Sequence, residues 1–369
     1  MESMKTSTPS RALCLLLTLL GLCVTAHAQT AVSVGMTQLK TGDLPVTLVY
    51  PTLQPARSVA LGPFVLQVAP DAVPQPGLRR LVVLSHGTGG NALSDHTLAA
   101  TLARAGFVVA QPLHTGDNYL DTSRAGPESW RTRPQEVTRL IDALAADPSW
   151  QPLLQLDKVG VHGMSAGGVT ALSLAGAQWR LLNLVQHCLA HVDADQGFCF
   201  NGLAEPQAQA ARRAVYERAR GVPEAFLPAN MRVLQGGITV DPAAGRADVR
   251  PDLRVAAVTL AVPVGAIFSA DSLARIHVPV GLVTAGRDTM LLPEFHSDHV
   301  LRHCTACTRL ADLKGAGHFD LLSPWPDAVA LSVGAKQAQG GQPEPGFDPK
   351  ERDDAFEAIA RFFARQLQF

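Results

Sequence analysis

The chain has 369 residues, 47% of them apolar and 17% charged, a balance that supports a sizeable buried core and excludes a disordered chain. Its formal charge of −1 at pH 7 excludes the strongly basic surface that a phosphate backbone requires, so nucleic acid is not an expected partner.

The N-terminus carries Lys5 and Arg11, an apolar run over residues 12–24, and Ala26-His27-Ala28. These are the three parts of a secretory signal peptide, expected over residues 1–28. The run falls short of the roughly 20 apolar residues that cross a bilayer, so no stable membrane insertion is expected after signal removal. Cys23 follows the bulky Leu22, a poor context for lipidation. Loss of Glu2, Lys5 and Arg11 leaves 29 basic against 31 acidic residues in an exported chain, periplasmic or secreted. Four cysteines remain, Cys188, Cys199, Cys304 and Cys307, an even number that suits an oxidising compartment. Pairing of sequence neighbours, Cys188 with Cys199 and Cys304 with Cys307, is the simplest of three connectivities, and the spacing leaves all three open.

From residue 30 to 75, β-like pieces at 46–50 and 64–68 alternate with prolines, which predicts antiparallel edge strands extending a sheet. A stronger rhythm follows: a buried strand at 81–85, a glycine loop, a helix near 95–105 and a strand at 107–110. It continues with a helix near 135–146, strands near 159–161, 254–262, 278–284 and 308–313, and a C-terminal helix near 350–366. Such alternation predicts an α/β fold with a mostly parallel central sheet and helices on both faces. One catalytic domain is expected over 29–369. Residues 182–252 break the rhythm for too long to be an ordinary connection and are expected to form a partly helical cap or insertion. Residues 324–349, rich in Gly, Pro and Gln, read as a surface loop.

Gly163-Met164-Ser165-Ala166-Gly167 directly follows the predicted strand at 159–161, and a run of small residues follows it. In that setting Gly-x-Ser-x-Gly reads as a sharp strand-to-helix turn that holds the Ser165 hydroxyl in a cleft. A serine hydroxyl is a weak nucleophile near pH 7 and needs a base, which in turn needs an orienting acid. His318, in Gly315-Ala316-Gly317-His318, sits on a small-residue loop after a late strand and is the expected base. Asp288 ends the predicted strand at 278–284 and is the expected acid, with Asp271 and Asp320 as competitors. Two backbone N–H groups should face the developing oxyanion. Ala166 follows the nucleophile; Thr88, in His86-Gly87-Thr88-Gly89-Gly90, is the second, with Gly89 in reserve. No cofactor and no metal are expected.

Other groups carry weaker signals. His296, His299 and His303 share one helix face beside Cys304 and Cys307, a possible zinc set, although Cys-x-x-Cys in an exported chain more often oxidises. His114 and Asp117 follow a central strand and read as loop residues. Arg131, Arg133 and Glu136 suit packing or salt bridges; Trp130 and Phe319 suit a cleft wall or the core.

The motifs Ser85-His86-Gly87-Thr88-Gly89-Gly90, Gly163-Met164-Ser165-Ala166-Gly167-Gly168, the Asp288 turn with Pro293 downstream, and Gly317-His318-Phe319 resemble serine α/β-hydrolases of the dienelactone-hydrolase-like and platelet-activating-factor-acetylhydrolase-like kind. The resemblance spans residues 40–369. It implies an α/β-hydrolase fold with Ser165 as nucleophile, Asp288 and His318 as its partners, and Thr88 and Ala166 as oxyanion donors. Dienelactone hydrolases use a cysteine nucleophile, so Ser165 turns the expectation from lactones to carboxylic esters, as small molecules or lipids. An amidase or peptidase with the same triad, or a non-catalytic binding protein on the hydrolase fold, are the alternatives.

Overall fold

In the computed structural model the described residues are 1–2, 32–222, 250–335 and 340–368. The expected signal peptide, apart from its first two residues, and residues 223–249 of the expected insertion lie outside them. The chain divides into two units, Met1–Ala31 and Val32–Phe369, and the second holds every element named below.

The second unit opens with β1 (Ser33–Thr41), β2 (Leu44–Thr52), β3 (Arg57–Leu61), β4 (Phe64–Pro70) and β5 (Arg79–Ser85). The alternating part runs α1 (His96–Arg104), β6 (Val108–Pro112), α2 (Pro127–Ala146), β7 (Leu154–Met164) and α3 (Ala166–Leu174). Three helices follow, α4 (Leu181–His191), α5 (Gln196–Cys199) and α6 (Pro206–Ala219). The chain then runs through β8 (Val255–Ala261), α7 (Ala270–Ala274), β9 (Val280–Ala285), α8 (Ser297–His303), β10 (Cys307–Leu313), α9 (Asp327–Ala335) and α10 (Pro349–Leu367).

The strands form one sheet in the order β10-β9-β8-β7-β5-β6-β2-β1-β4-β3. From β10 to β6 every pairing is parallel. The central strands β5, β6, β8 and β9 and the second half of β7 are mostly apolar because helices bury them on both faces, whereas the edge strand β10 keeps polar, partly exposed positions. Trp130, Val137, Leu140 and Ile141 of α2 cover one face together with α3; Phe356, Ile359 and Phe363 of α10 cover the other with α1. The expected α/β architecture is therefore the observed one.

Three departures from the sequence reading have local causes. Strand β2, expected at an edge, pairs with both β1 and β6. Its prolines are tolerated because Pro45 and Pro51 fall outside the four-residue pairing with β6, Val46–Val49, so their missing N–H groups cost no rung there. Helix α2 starts at Pro127, two turns earlier than expected, and carries Pro134 inside. Pro127 is preorganised for a first helical turn, and the buried Trp130 and Arg133 anchor the segment ahead of Pro134. Residues 327–335, read as loop, are the helix α9, because Val329 and Val333 recur four residues apart on an apolar face.

The register positions the site. Ser85 at the end of β5 lies opposite Gly163 near the end of β7, so the loop after β5 and the turn after β7 leave the sheet side by side. Ala285 ends β9 opposite Leu313 at the end of β10, which brings the next two loops together in the same way.

Candidate active site

At the end of β7 the chain reverses at Ser165, whose backbone sits at φ 54° and ψ −118°. For a residue with a Cβ this region costs about 1–3 kcal/mol, and it is kept only where neighbours dictate it. Here the glycines dictate it: a Cβ at Gly163 would collide with the Gly167 carbonyl, and one at Gly167 with the Ser85 carbonyl. Only with both positions bare can α3 start this close to β5 and β7.

Ser165 Oγ lies 3.0 Å from His318 Nε2, and His318 Nδ1 lies 2.7 Å from Asp288 Oδ2. The other Asp288 oxygen accepts from the N–H groups of Met290 at 2.9 Å and Leu291 at 2.8 Å, which fixes the carboxylate plane. An ionised carboxylate only accepts, so His318 Nδ1–H donates to it and Nε2 is left to accept from the Ser165 hydroxyl. The structure thus brings the three expected residues into one chain of hydrogen bonds. The competing acids go elsewhere. Asp320 Oδ2 accepts from Gly317 N–H at 2.8 Å and braces the turn that carries His318; Asp271 is exposed on α7.

Ala166 is the first residue of α3, where N–H groups have no acceptor within the helix. Among the described residues neither its N–H nor that of Thr88 donates to another group, and Thr88 lines the same cavity as Ser165. Gly89, the reserve donor, is excluded because its N–H already donates to Asp117 Oδ1 at 2.9 Å.

Ser165 and His318 open into a cavity of about 570 Å³. Phe64, Tyr119, Trp130, Phe198, Tyr216, Phe319 and Trp325 line it, seven of the chain's 13 Phe, 4 Trp and 3 Tyr, so the space suits a bulky apolar group. Phe319 is a wall residue, and Trp130 belongs both to the wall and to the core beneath α2. Leu184, Phe198 and Tyr216 come from α4, α5 and α6, within the span read as a cap.

The remaining candidates form separate networks. Cys188 bonds Cys199 and Cys304 bonds Cys307, the simplest of the three connectivities. His296 Nδ1 accepts from Gly265 N–H at 3.1 Å, so its Nε2–H donates to Asp195 Oδ2 at 2.9 Å; His187 Nε2 also lies 2.8 Å from that oxygen. Burial alone would raise Asp195, but the hydrogen bonds from His187 and His296 outweigh it and hold the carboxyl at about 2. His299 Nε2 donates to the Phe268 carbonyl at 2.8 Å. The set read as a possible zinc site is therefore dispersed among a disulfide and these partners. His187, Asp195 and Cys199 lie within metal-ligand reach of one another, but the Cys199 sulfur is already bonded to Cys188. Arg131 lies over the Trp179 ring. His114 and Asp117, read as loop residues, are fully buried, and Arg133 and Glu136 are their partners. A sign was present in the sequence: both follow a strand of the parallel sheet, as Asp288 does.

No protein-family model matches the chain, and no curated protein matches it. Solved structures do. A ferulic acid esterase from Streptomyces cinnamoneus is 19% identical with a TM-score of 0.53, the match covering 92% of each chain. A dienelactone hydrolase from Anabaena variabilis is 14% identical with a TM-score of 0.45, over 91% of this chain and 99% of that one. The chain has the α/β-hydrolase fold. At such identities the likeness establishes the fold and leaves the chemistry to the site.

Proposed function

We propose that this chain is a serine hydrolase of carboxylic esters. The observation that carries the reading is the bond chain Ser165–His318–Asp288, set on a strained turn that opens into a partly open cavity lined by aromatic side chains. His318 Nε2 takes the Ser165 proton as Oγ attacks the ester carbonyl, and Asp288 stabilises the imidazolium that forms. The Ala166 and Thr88 N–H groups receive the tetrahedral oxyanion. His318 returns the proton to the departing alcohol, leaving an acyl-Ser165 that water releases by the same route. No cofactor takes part. Residues 182–222 act as a cap over the acyl group, and the aromatic wall favours bulky or aromatic acyl parts, a reading supported by the fold neighbour named a ferulic acid esterase. The two disulfides fit an exported protein.

The test is hydrolysis of p-nitrophenyl acetate, butyrate and octanoate by the mature protein, beside Ser165→Ala and with a chelator control. Activity is expected in the wild type, insensitive to chelator and lost in the variant. Activity that survives the substitution would overturn the reading.

A further inference from the structure

The loop that carries Thr88 is held from behind by a buried polar cluster that touches no part of the cavity. The Gly87 carbonyl accepts from three donors: His86 Nδ1 at 2.7 Å, Arg133 Nη2 at 3.2 Å and the Gly90 N–H at 3.2 Å. Arg133 Nη1 also donates to the His86 carbonyl at 2.6 Å, and Nη2 donates to Asp117 Oδ2 at 2.7 Å. Asp117 completes the clamp by accepting from Gly89 N–H through Oδ1 and, at 2.6 Å through Oδ2, from the Ser129 hydroxyl. The Arg133 and Asp117 side chains are both 0% exposed.

The geometry of one peptide unit turns this clamp into a functional device. In a planar trans peptide the C=O of Gly87 and the N–H of Thr88 point in opposite directions, and the described chain has no cis bond. Pinning the Gly87 carbonyl toward Arg133 therefore aims the Thr88 N–H away from it. Donors on that carbonyl also polarise the peptide and strengthen its N–H. Occupation of the Gly89 N–H by Asp117 removes the neighbouring donor from competition.

A second row backs the first. His114 N–H donates to His86 Nε2 at 3.3 Å, which leaves the His86 proton on Nδ1, facing the Gly87 carbonyl. His114 is itself fixed between Ser85 Oγ and Glu136 Oε2, each at 2.8 Å. Ser85, His114 and Glu136 repeat the connectivity of a catalytic triad, yet none of them lines the cavity. Burial and the Arg133 charge press the His114 proton affinity well down, which suits an anchor.

We infer that Arg133 and Asp117 are positioning residues for the oxyanion, aiming and polarising the Thr88 N–H through the Gly87 carbonyl. The inference rests on the esterase reading above. Its test is kcat and KM for p-nitrophenyl butyrate, and Ki for a trifluoromethyl ketone that forms the tetrahedral adduct, all per titrated active site. The variants are Asp117→Asn, Arg133→Lys and the milder Ser129→Ala. Lysine keeps the charge but not the fork that reaches three carbonyls, those of His86, Gly87 and Asp117, and a carboxylate at once. Asp117→Asn and Arg133→Lys are expected to lower kcat about 10²-fold, with KM within about threefold, and to weaken the ketone by a similar factor. Ser129→Ala should shift the same quantities in the same direction by less, and it decides the matter if the other two do not fold. Ile359→Ala, buried on the opposite face of the sheet, should lower the melting temperature and leave kcat per site unchanged. Folded clamp variants with unchanged kcat and ketone affinity would overturn the inference while the esterase reading stood. A wild type that hydrolyses no ester would bring down both.

Discussion

Ser165 keeps a Cβ at a φ of 54°, a conformation better suited to glycine. Replacing it by Gly rather than Ala should therefore reverse the usual order of stability, with Ser165→Gly the more stable of the two inactive variants by about 1 kcal/mol in chemical denaturation. Equal stabilities, or the ordinary preference for Ala, would show that the turn is not strained. Asp288→Asn removes the acceptor that fixes the His318 tautomer, and kcat is expected to fall about 10⁴-fold with little change in KM. The residues of this bond chain were legible in the sequence because each is announced locally, by Gly-x-Ser-x-Gly, by a strand-terminal aspartate and by a glycine-rich histidine loop. Arg133 and Glu136 were legible only as packing or salt-bridge residues, which they are, and His114 and Asp117 only as loop residues. Their partners come from a different strand and helix, so only the packed structure shows that the loop residues at 114 and 117 are buried and bonded.

Of the elements, α4 to α6 separate most clearly what pattern reveals from what it hides. The break in rhythm after residue 182 is read as a cap or insertion, but the disulfide and the buried Asp195 that hold its described helices together are announced by no periodicity. The Cys188–Cys199 bond joins α4 to α5 across a sequence separation of 11. Closing a loop of that length stabilises by about 3 kcal/mol on chain-entropy grounds. A Cys188→Ala/Cys199→Ala variant should lose about that much in denaturant unfolding. It should also lose more kcat/KM on the octanoate than on the acetate ester, since Gly197, Phe198 and Cys199 line the cavity. A variant with unchanged stability and unchanged chain-length profile would refute this role for the bridge. Helix α9 was hidden for a different reason. Its apolar spacing is regular, but flanking Pro and Gly residues outweighed it in a linear reading.

For the molecule as a whole, the parallel sheet was legible because strands buried on both faces must be almost continuously apolar, and that signal survives without knowledge of neighbours. The same burial sets the acid stability. Burial lowers His162 to about 3 and, with help from the Arg352 charge, His96 to about 4; His86 and His114 are lowered well below 6.5 by burial and Arg133. Each is neutral when folded and takes up a proton when unfolded below pH 6.5, so unfolding binds protons and stability falls as pH falls. Each such imidazole removes about 1.4 kcal/mol per pH unit until its folded-state value is reached. Asp95, raised by burial to about 7, acts in the opposite sense, with stability lost as pH rises through that value, but it is one group against four. Urea midpoints are expected to fall steeply from pH 6.5 to 4.5, and a flat profile over that range would contradict the burial of neutral imidazoles.

The most direct measurement of the central claim is peptide mass spectrometry of the mature protein after reaction with a fluorophosphonate. One adduct is expected, on the peptide that contains Ser165, with labelling slowed by orders of magnitude in His318→Ala. No adduct, or an adduct on Ser85 with its look-alike relay through His114, would contradict the assignment of Ser165 as nucleophile.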